Sequence, residues 1–111
     1  MEQQSFQELS FKANFFVGAN AQGGNLYIYD ETFVFRPHSV NFGDLSEKVI
    51  QIRDICGYKK GFLTTMYIFL NNGLEIKLAV WQKDDIIKAL EERRHAIFRN
   101  AGKEIPQLKR F

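Results

Sequence analysis

Apolar and polar side chains alternate along most of the first 81 residues, with the two-residue period of strands that bury one face. Glycine, proline and Asn-Gly or Asp-rich turns interrupt the alternation. The pattern predicts strands over residues 11–17, 26–29, 32–36, 62–70 and 74–81. It predicts connections over 18–24, at Asp30 and Glu31, and over 37–47, and a type I′ hairpin turn over residues 71–73.

The alternation fails once, between residues 48 and 58. Ile50 and Ile52 share one face, but the next apolar residue, Ile55, follows three positions later. An unbroken strand would turn Ile55 outwards, so a bend or bulge near Arg53 and Asp54 is required to keep it inside. The segment therefore predicts two short strands that meet at a corner, which brings the total to seven.

After Gln82 the period becomes helical. Ile86, Ile87, Leu90, Ile97 and Phe98 form one apolar stripe, and the helix is expected to end near residues 100–102. Two arginines interrupt the stripe at positions 93 and 94, where their methylenes are expected to lie on the rim of the core with the guanidinium groups in water.

Seven strands followed by one helix exclude an alternating strand-helix architecture. The order predicts a mainly β fold, a bent antiparallel barrel or sandwich of seven strands capped by one C-terminal α-helix. The predicted domain covers residues 11–102, with an N-terminal extension over 1–10 and a basic C-terminal tail over 103–111.

Composition narrows the class of protein. A chain of 111 residues with 45% apolar residues fits one domain, and the single Cys56 excludes an internal disulfide. No apolar run has the length of a bilayer span, and residues 1–5 do not resemble a signal peptide, so a soluble, cytoplasmic protein is expected. The net charge of +2 is too small to predict a nucleic-acid binder.

The basic surplus belongs to the end of the chain. Residues 1–82 carry seven basic and eight acidic side chains, whereas residues 83–111 carry eight and five. Positive charge near a helix C-terminus has a structural explanation in the helix dipole. It also leaves open a membrane-facing role for the tail.

Several short motifs resemble those of a known family. Residues 23–30, Gly-Gly-Asn-Leu-Tyr-Ile-Tyr-Asp, and residues 33–38, Phe-Val-Phe-Arg-Pro-His, are similar to the opening of GRAM domains, which belong to the pleckstrin-homology-like (PH-like) superfold. The later family motifs follow in the same order along the chain. They are the Ile-Arg-Asp-Ile sequence that ends a strand at residues 52–55, the glycine turn over 71–73, and the closing strand and helix. The resemblance covers roughly residues 11–99. It implies a seven-stranded bent barrel capped by a helix, and a non-catalytic module that binds phosphoinositides or proteins at membranes.

Charge argues against the phosphoinositide part of that implication. Lipid-binding pleckstrin-homology domains typically grip phosphates with Lys and Arg in and beside the first loop. Here the predicted first loop, 18–24, is uncharged, and the loop over 37–47 has two acidic residues and His38. Arg36, Lys48 and Lys12 flank these loops and could still converge, whereas Lys59 and Lys60 lie on a different predicted turn.

The sequence offers few groups of residues that could form a catalytic site. His38 and His95 lie on different predicted elements, and the Glu91 and His95 pair has no visible third ligand, so neither a metal site nor a cofactor is expected. Cys56 lies in an apolar strand without a nearby cation, which favours a buried, inert thiol. The glycines near residue 23 precede a strand rather than a helix and do not form a phosphate loop.

Three hypotheses of function remain, and the first two lead. The third is an enzyme or a small-molecule-binding barrel, which would need titratable groups around an internal cavity. The first is a non-catalytic module that engages a protein or peptide, or a second copy of the chain, through aromatic side chains on the second face of the strands. Those aromatics are Phe16, Tyr27, Tyr29, Tyr67, Phe69 and Trp81, which the bent barrel could equally cover itself. The alternative is a peripheral membrane module that binds anionic lipid through its C-terminal tail. The candidate partner-binding residues are Arg36, His38, Lys48, Lys59, Lys60, Lys109 and Arg110.

Overall fold

A computed structural model of the chain describes residues 6–38 and 46–111. The elements are seven strands, one short 3₁₀ turn and one helix, which confirms the predicted fold class. They are β1 (Leu9–Val17), β2 (Asn20–Ile28), β3 (Thr32–Pro37), β4 (Lys48–Gln51), the 3₁₀ turn (Ile52–Asp54), β5 (Ile55–Lys60), β6 (Thr65–Leu70), β7 (Glu75–Ala79) and α1 (Lys83–Asn100). Most of the loop predicted over 37–47, and the first five residues, lie outside the described ranges.

The seven strands form one antiparallel sheet in the order β4-β3-β2-β1-β7-β6-β5. β1 pairs with β2 along its whole length but with β7 only at Asn14 and Phe15. The sheet therefore divides into two parts joined at a short seam, and both β4 and β5 are edge strands. Helix α1 packs against the 3₁₀ turn and β5.

The predicted corner between β4 and β5 is confirmed. The 3₁₀ turn occupies residues 52–54, and Ile55 is buried just beyond it. A second irregularity follows at once, because Ile55 pairs with Leu70 but Gly57 pairs with Phe69, so that Cys56 is an extra, bulged residue in β5.

The connection predicted over residues 18–24 is much shorter in the structure. β2 begins at Asn20, and Gly18 at φ 63° starts a two-residue turn. Gly24, which looked like a loop residue, lies inside β2 beside β3. A side chain there would overlap the Arg36 carbonyl oxygen and crowd Phe35, so close approach of the two strands explains the glycine.

Two further predictions about the β5–β7 region are wrong. Among residues 71–73 only Gly73 has a positive φ, 89°, and its amide donates to the Leu70 carbonyl, so the turn is a type I turn with a bulged glycine rather than type I′. β6 begins at Thr65 instead of residue 62, because the chain turns over residues 61–64.

The core fills the space between the sheet and α1. Its fully buried members are large and apolar: Leu26, Ile28, Phe33, Phe35, Ile52, Met66, Ile68, Leu78, Ile86 and Leu90. Cys56 is buried and not in a disulfide. The predicted helix end is confirmed, since α1 stops at Asn100 and Gly102 takes φ 69°.

The two helix arginines are buried, contrary to the sequence prediction of guanidinium groups in water. Arg93 and Arg94 are each 2% exposed. Arg93 donates to the carbonyl oxygens of Ala89 and Gln7, at 3.0 and 2.7 Å, and its guanidinium lies 4.7 Å from the centre of the Phe6 ring. Burial lowers the pKa of Arg93. The chain before β1 therefore covers one arginine. Carbonyl oxygens replace water at its Nη1 and Nη2 atoms, whereas its buried Nε has no hydrogen-bond partner among the described residues.

Candidate functional site

Three large apolar side chains face solvent at one end of the molecule. Phe62 and Trp81 are each 83% exposed, and Leu63 is 71% exposed. We call these three residues the apolar tip. Single exposed apolar residues are common on protein surfaces, but clusters of large ones mark contact surfaces.

Backbone hydrogen bonds place the two parts of the apolar tip side by side. The turn over residues 61–64 closes with a bond from the Thr65 amide to the Phe62 carbonyl, 3.0 Å. The Val80 amide donates to the Thr64 carbonyl at 2.8 Å, which joins this turn to the segment between β7 and α1. Lys83 Nζ then donates to the carbonyl oxygens of Gly61 and Thr65, at 3.0 and 3.1 Å.

Leu63 has a left-handed backbone, with φ 52°. This conformation costs a residue with a side chain about 1–2 kcal/mol. Glycine and asparagine are the residues that usually occupy it. An exposed leucine in this conformation is thus a local cost with no compensating burial, and such positions tend to be retained where they serve a contact.

The charges around the apolar tip are nearly balanced. Lys59 and Lys60 precede the turn, and Lys60 forms an ion pair with Asp84. The first turn of α1 has both Asp84 and Asp85 exposed next to Trp81. The structure thus brings two of the predicted site residues, Lys59 and Lys60, to the edge of the apolar tip, together with two carboxylates.

An open cleft of about 470 Å³ extends from the tip along the seam between β1 and β7. Trp81 lies at one end of the cleft, and His38 and Lys12 also line it. His38 is held by a backbone bond from its amide to the Gly23 carbonyl, 2.9 Å. One predicted site residue, His38, therefore shares a surface with the tip tryptophan.

Arg36 and Lys48 lie together on the other half of the sheet. Arg36 donates to Glu47 at 2.8 Å, and its guanidinium lies 4.6 Å from the centre of the Tyr27 ring. The hydrogen bond with Glu47 raises the pKa of Arg36. Lys48 Nζ donates to the Ser46 carbonyl at 3.0 Å. Both predicted cations thus already have partners within the chain.

Most of the aromatic side chains that the sequence predicts on the second face of the strands are partly buried in the structure. Of those six, five are partly buried and only Trp81 is exposed, at 83%. The partly buried rings pair along their strands, Tyr27 with Tyr29 and Tyr67 with Phe69. Contacts within the chain therefore account for five of the aromatic residues. Only Trp81, the sixth, remains a candidate for a contact surface.

Lys109 and Arg110 lie on the segment that follows α1. The Lys109 amide donates to the Cys56 carbonyl at 2.8 Å, and the Phe111 ring stacks on Phe69 with 3.7 Å between ring centres. These two predicted cations are therefore next to β5. Apart from His38, which lines the cleft, the predicted site residues form three groups: Arg36 with Lys48, Lys59 with Lys60, and Lys109 with Arg110.

A buried polar network links β5, α1 and the end of the chain. Glu91 accepts from the Tyr58 hydroxyl at 2.8 Å and from Arg94 at 2.7 and 3.0 Å, and Arg94 also donates to the Pro106 carbonyl at 2.8 Å. Burial, reinforced by Glu91, raises the pKa of Tyr58 above its usual range. The hydrogen bonds to Glu91 raise the pKa of Arg94. The sequence pairing of Glu91 with His95 is the weaker contact, at 3.6 Å.

Sequence reasoning missed the apolar tip. It placed Phe62 and Leu63 in a central strand because both are apolar and precede an apolar run. The usable signal was Gly61 before them and Thr64 and Thr65 after them, a short polar interval that fits a turn. The sequence places Trp81 on the second face of the last strand, but β7 ends at Ala79 and Trp81 lies past its end.

Across residues 6–38 and 46–111, no group of three or more His, Cys, Asp or Glu side chains is arranged to hold a metal ion. Within the same ranges, no helix is both long and apolar enough to cross a bilayer.

Comparison with known proteins gives structural neighbours only. No protein-family model matches the sequence, and no curated protein matches it significantly. The C-terminal domain of an unknown protein from Leishmania infantum superposes with a TM-score of 0.65 at 17% identity, over 83% of this chain and 84% of that one. The N-terminal PH domain of human ARAP2 gives 0.66 at 9% identity, over 94% and 89%.

A third neighbour is the linker-DH/PH structure of p115-RhoGEF. Its TM-score is 0.62 at 8% identity, and the match covers 95% of this chain and 31% of that one. Likeness at such low identity establishes architecture and not activity. The chain has a pleckstrin-homology-like fold, with seven antiparallel strands in one bent, open sheet and a single C-terminal helix.

Proposed function

We propose that the protein is a non-catalytic binding module that docks a partner protein on its apolar tip. The observation that carries the proposal is the joint exposure of Phe62, Leu63 and Trp81 on two segments that are joined by the backbone hydrogen bond from the Val80 amide to the Thr64 carbonyl. Tryptophan is among the residues that contribute most to protein interfaces, and a rigid support lowers the entropy lost on binding.

The rest of the molecule supports a binding role rather than catalysis. The space between sheet and helix is filled by large apolar side chains such as Phe33, Phe35 and Ile68. An enzyme of this size would need convergent titratable groups in a pocket, and the buried polar network of Tyr58, Glu91 and Arg94 is instead satisfied within the fold.

A protein partner fits the tip better than an anionic membrane does. Peripheral membrane helices and loops combine apolar residues with a clear cationic surplus. Here Lys60 is paired with Asp84, Lys83 bonds backbone carbonyls, and Asp85 adds a second exposed carboxylate. The C-terminal cations Lys109 and Arg110 belong to a segment already folded against β5.

We also propose that, within the PH-like superfold, the chain is of the GRAM type, on the motifs given above. The assignment is supported by what two of them do. Gly24 permits close approach of β2 and β3, and the step over residues 52–55 forms the corner that separates β4 from β5.

The test uses the full chain as bait in native lysate, with four versions compared by quantitative mass spectrometry. They are the wild type, Phe62→Ser, Trp81→Ala and the matched control Leu74→Ser, which removes an exposed leucine from the turn between β6 and β7. We expect a defined partner on the wild type and on Leu74→Ser, reduced at least about tenfold on both tip variants, because a tryptophan at an interface contributes about 2 kcal/mol or more.

Equal capture on all four versions contradicts the proposal. A parallel sedimentation assay with phosphatidylserine vesicles separates the membrane alternative. Vesicle binding that disappears with Trp81→Ala would assign the tip to lipid, and a concentration-dependent dimer that disappears with Trp81→Ala would assign it to a second copy of the chain.

A further inference from the structure

The segment over residues 103–111, here called the C-terminal segment, returns from the end of α1 onto the sheet. Gly102 reverses the chain with φ 69°. The Lys103 amide bonds the Phe98 carbonyl at 2.9 Å and the Gly102 amide bonds that of Arg99 at 3.0 Å, the two bonds of a Schellman motif. The reversal directs the chain back along the helix towards β5.

Three contacts hold the C-terminal segment there. Arg94 donates to the Pro106 carbonyl, the Lys109 amide donates to the Cys56 carbonyl at 2.8 Å, and the Phe111 ring stacks on Phe69 with the two planes 11° apart. The first two are main-chain contacts that any extended peptide could make, and the third requires an aromatic side chain.

Two features of β5 allow it to bind the C-terminal segment, namely its position at the edge of the sheet and its bulge at Cys56. β5 is the last strand of the sheet, so its outer edge has no strand neighbour among residues 6–38 and 46–111. The bulge at Cys56 takes that residue out of the ladder with β6, and its carbonyl accepts from the Lys109 amide instead. Edge carbonyls of this kind are the usual receptors for an added peptide strand.

Gly57 lies directly beneath the Phe111 ring. It is buried, yet a Cβ atom built on it would overlap the Phe111 ring and crowd the Lys109 carbonyl. Its φ does not call for glycine, so the requirement comes from the ring that lies over it. The surface is therefore shaped for an aromatic side chain two residues beyond the amide that bonds Cys56.

The C-terminal segment holds this surface loosely. Every residue from 103 to 111 except Leu108 is exposed, and Phe111 itself remains 53% exposed. Segments with few buried contacts open at low free-energy cost. The occupant can therefore leave without unfolding the sheet.

We propose that the β5 edge is a binding site for an extended segment of another protein that presents an aromatic side chain to Gly57 and Phe69. The chain's own C-terminal segment is the resident occupant and competes for the site. A tethered competitor acts at an effective concentration of roughly millimolar, so free peptide is excluded until the tether is displaced or loosened. The site is separate from the apolar tip and does not depend on it.

The test measures binding of a fluorescein-labelled peptide with the sequence of residues 103–111 to the full-length protein by fluorescence anisotropy. Phe111→Ala removes the anchor of the resident segment while leaving Gly57 and Phe69 in place. We expect this variant to bind the peptide at least about tenfold more tightly than the wild type. A peptide with alanine in its last position should not bind.

Two further variants examine the receptor side. Gly57→Ala, added to Phe111→Ala, should abolish the gained binding because the new methyl occupies the ring position. If that double variant does not fold, Phe69→Leu in the same background removes the stacking partner and should weaken binding at least about fivefold. Phe62→Ser is the control that should leave peptide binding unchanged, which separates this site from the proposed tip.

Equal binding by the wild type and Phe111→Ala would overturn the proposal. So would binding that survives both Gly57→Ala and Phe69→Leu. A concentration-dependent dimer of the wild type that dissociates on Phe111→Ala would overturn the assignment to another protein, because the occupant would then be the C-terminal segment of a second copy.

Discussion

Leu63 combines a left-handed backbone with a side chain that is mostly in solvent. Neither feature stabilises the folded chain. The conformation costs about 1–2 kcal/mol relative to an ordinary one, and the exposed side chain gains little from burial. We therefore expect Leu63 to lower the stability of the fold while contributing to partner binding. The free energy of unfolding and the partner affinity are measured separately, so both expectations can be tested.

We predict that Leu63→Gly leaves the free energy of unfolding unchanged or raises it by up to about 1 kcal/mol. Relief of the backbone cost outweighs or balances the extra chain entropy of glycine, about 0.5–1 kcal/mol. Urea denaturation measures the change. Leu63→Ala is the matched control, since it shortens the side chain and keeps the Cβ atom, and it should not be stabilising.

The same Leu63→Gly protein should bind the tip partner more weakly than the wild type. Loss of more than about 1 kcal/mol of stability would show that Leu63 supports the fold, and it would remove the argument that its conformation is retained for contact.

At the scale of elements, the end of α1 controls where the C-terminal segment goes. The Schellman motif depends on Gly102 at φ 69°. In the described part of the chain, no atom beyond the two neighbouring residues lies within 4 Å of a Cβ built there. Any effect of a side chain at this position is therefore a backbone effect.

We predict that Gly102→Ala lowers the free energy of unfolding by about 1 kcal/mol, the usual cost of a left-handed alanine. It should also speed hydrogen exchange of the Lys109 amide, because the reversed chain is misdirected. Gly18→Ala is the matched control: φ is 63° and the space is equally open, but the turn lies between β1 and β2. It should have a similar cost in stability and leave Lys109 exchange unchanged.

Elements differ in how well the sequence predicts them. Strict alternation located β7, the change of period located α1, and the displaced Ile55 located the corner at residues 52–54, because each signal depends on neighbouring residues. The sequence predicts a start of β2 at residue 26, six residues too late, since Gly24 looks like a turn residue until the close approach of β3 is known.

The least predictable features depend on residues distant in sequence. Arg93 is buried because Gln7, 86 positions away, supplies an acceptor. The position of the C-terminal segment depends on Cys56 and Phe69, and the clustering of the candidate cations into separate groups depends on the sheet order. Local periodicity contains no information on such pairings.

At the scale of the whole molecule, the network around Glu91 joins a strand, the helix and the end of the chain, and it makes stability depend on pH. The pKa of Tyr58 is raised in the folded state by burial and by Glu91, whereas an unfolded tyrosine titrates near pH 10. Above that pH the unfolded chain releases the Tyr58 proton and the folded chain keeps it, so unfolding becomes more favourable as pH rises.

We predict that the free energy of unfolding of the wild type falls between about pH 10 and 11.5, with a contribution from Tyr58 of up to about 1.4 kcal/mol per pH unit. Tyr58→Phe should show a shallower decline, whatever its absolute stability. Tyr67→Phe is the control that removes a hydroxyl without touching Glu91. Parallel slopes for the wild type and Tyr58→Phe in guanidinium titrations would show that the hydroxyl is not protected in the native state.

Docking on the apolar tip is tested most directly by hydrogen exchange of the full chain, with and without the partner captured in the bait experiment. We expect partner binding to slow exchange at the turn over residues 61–64 and at the segment between β7 and α1, around Trp81. Protection confined instead to the opposite end, at the turn between β1 and β2 and at residues 71–73, would contradict docking on the apolar tip.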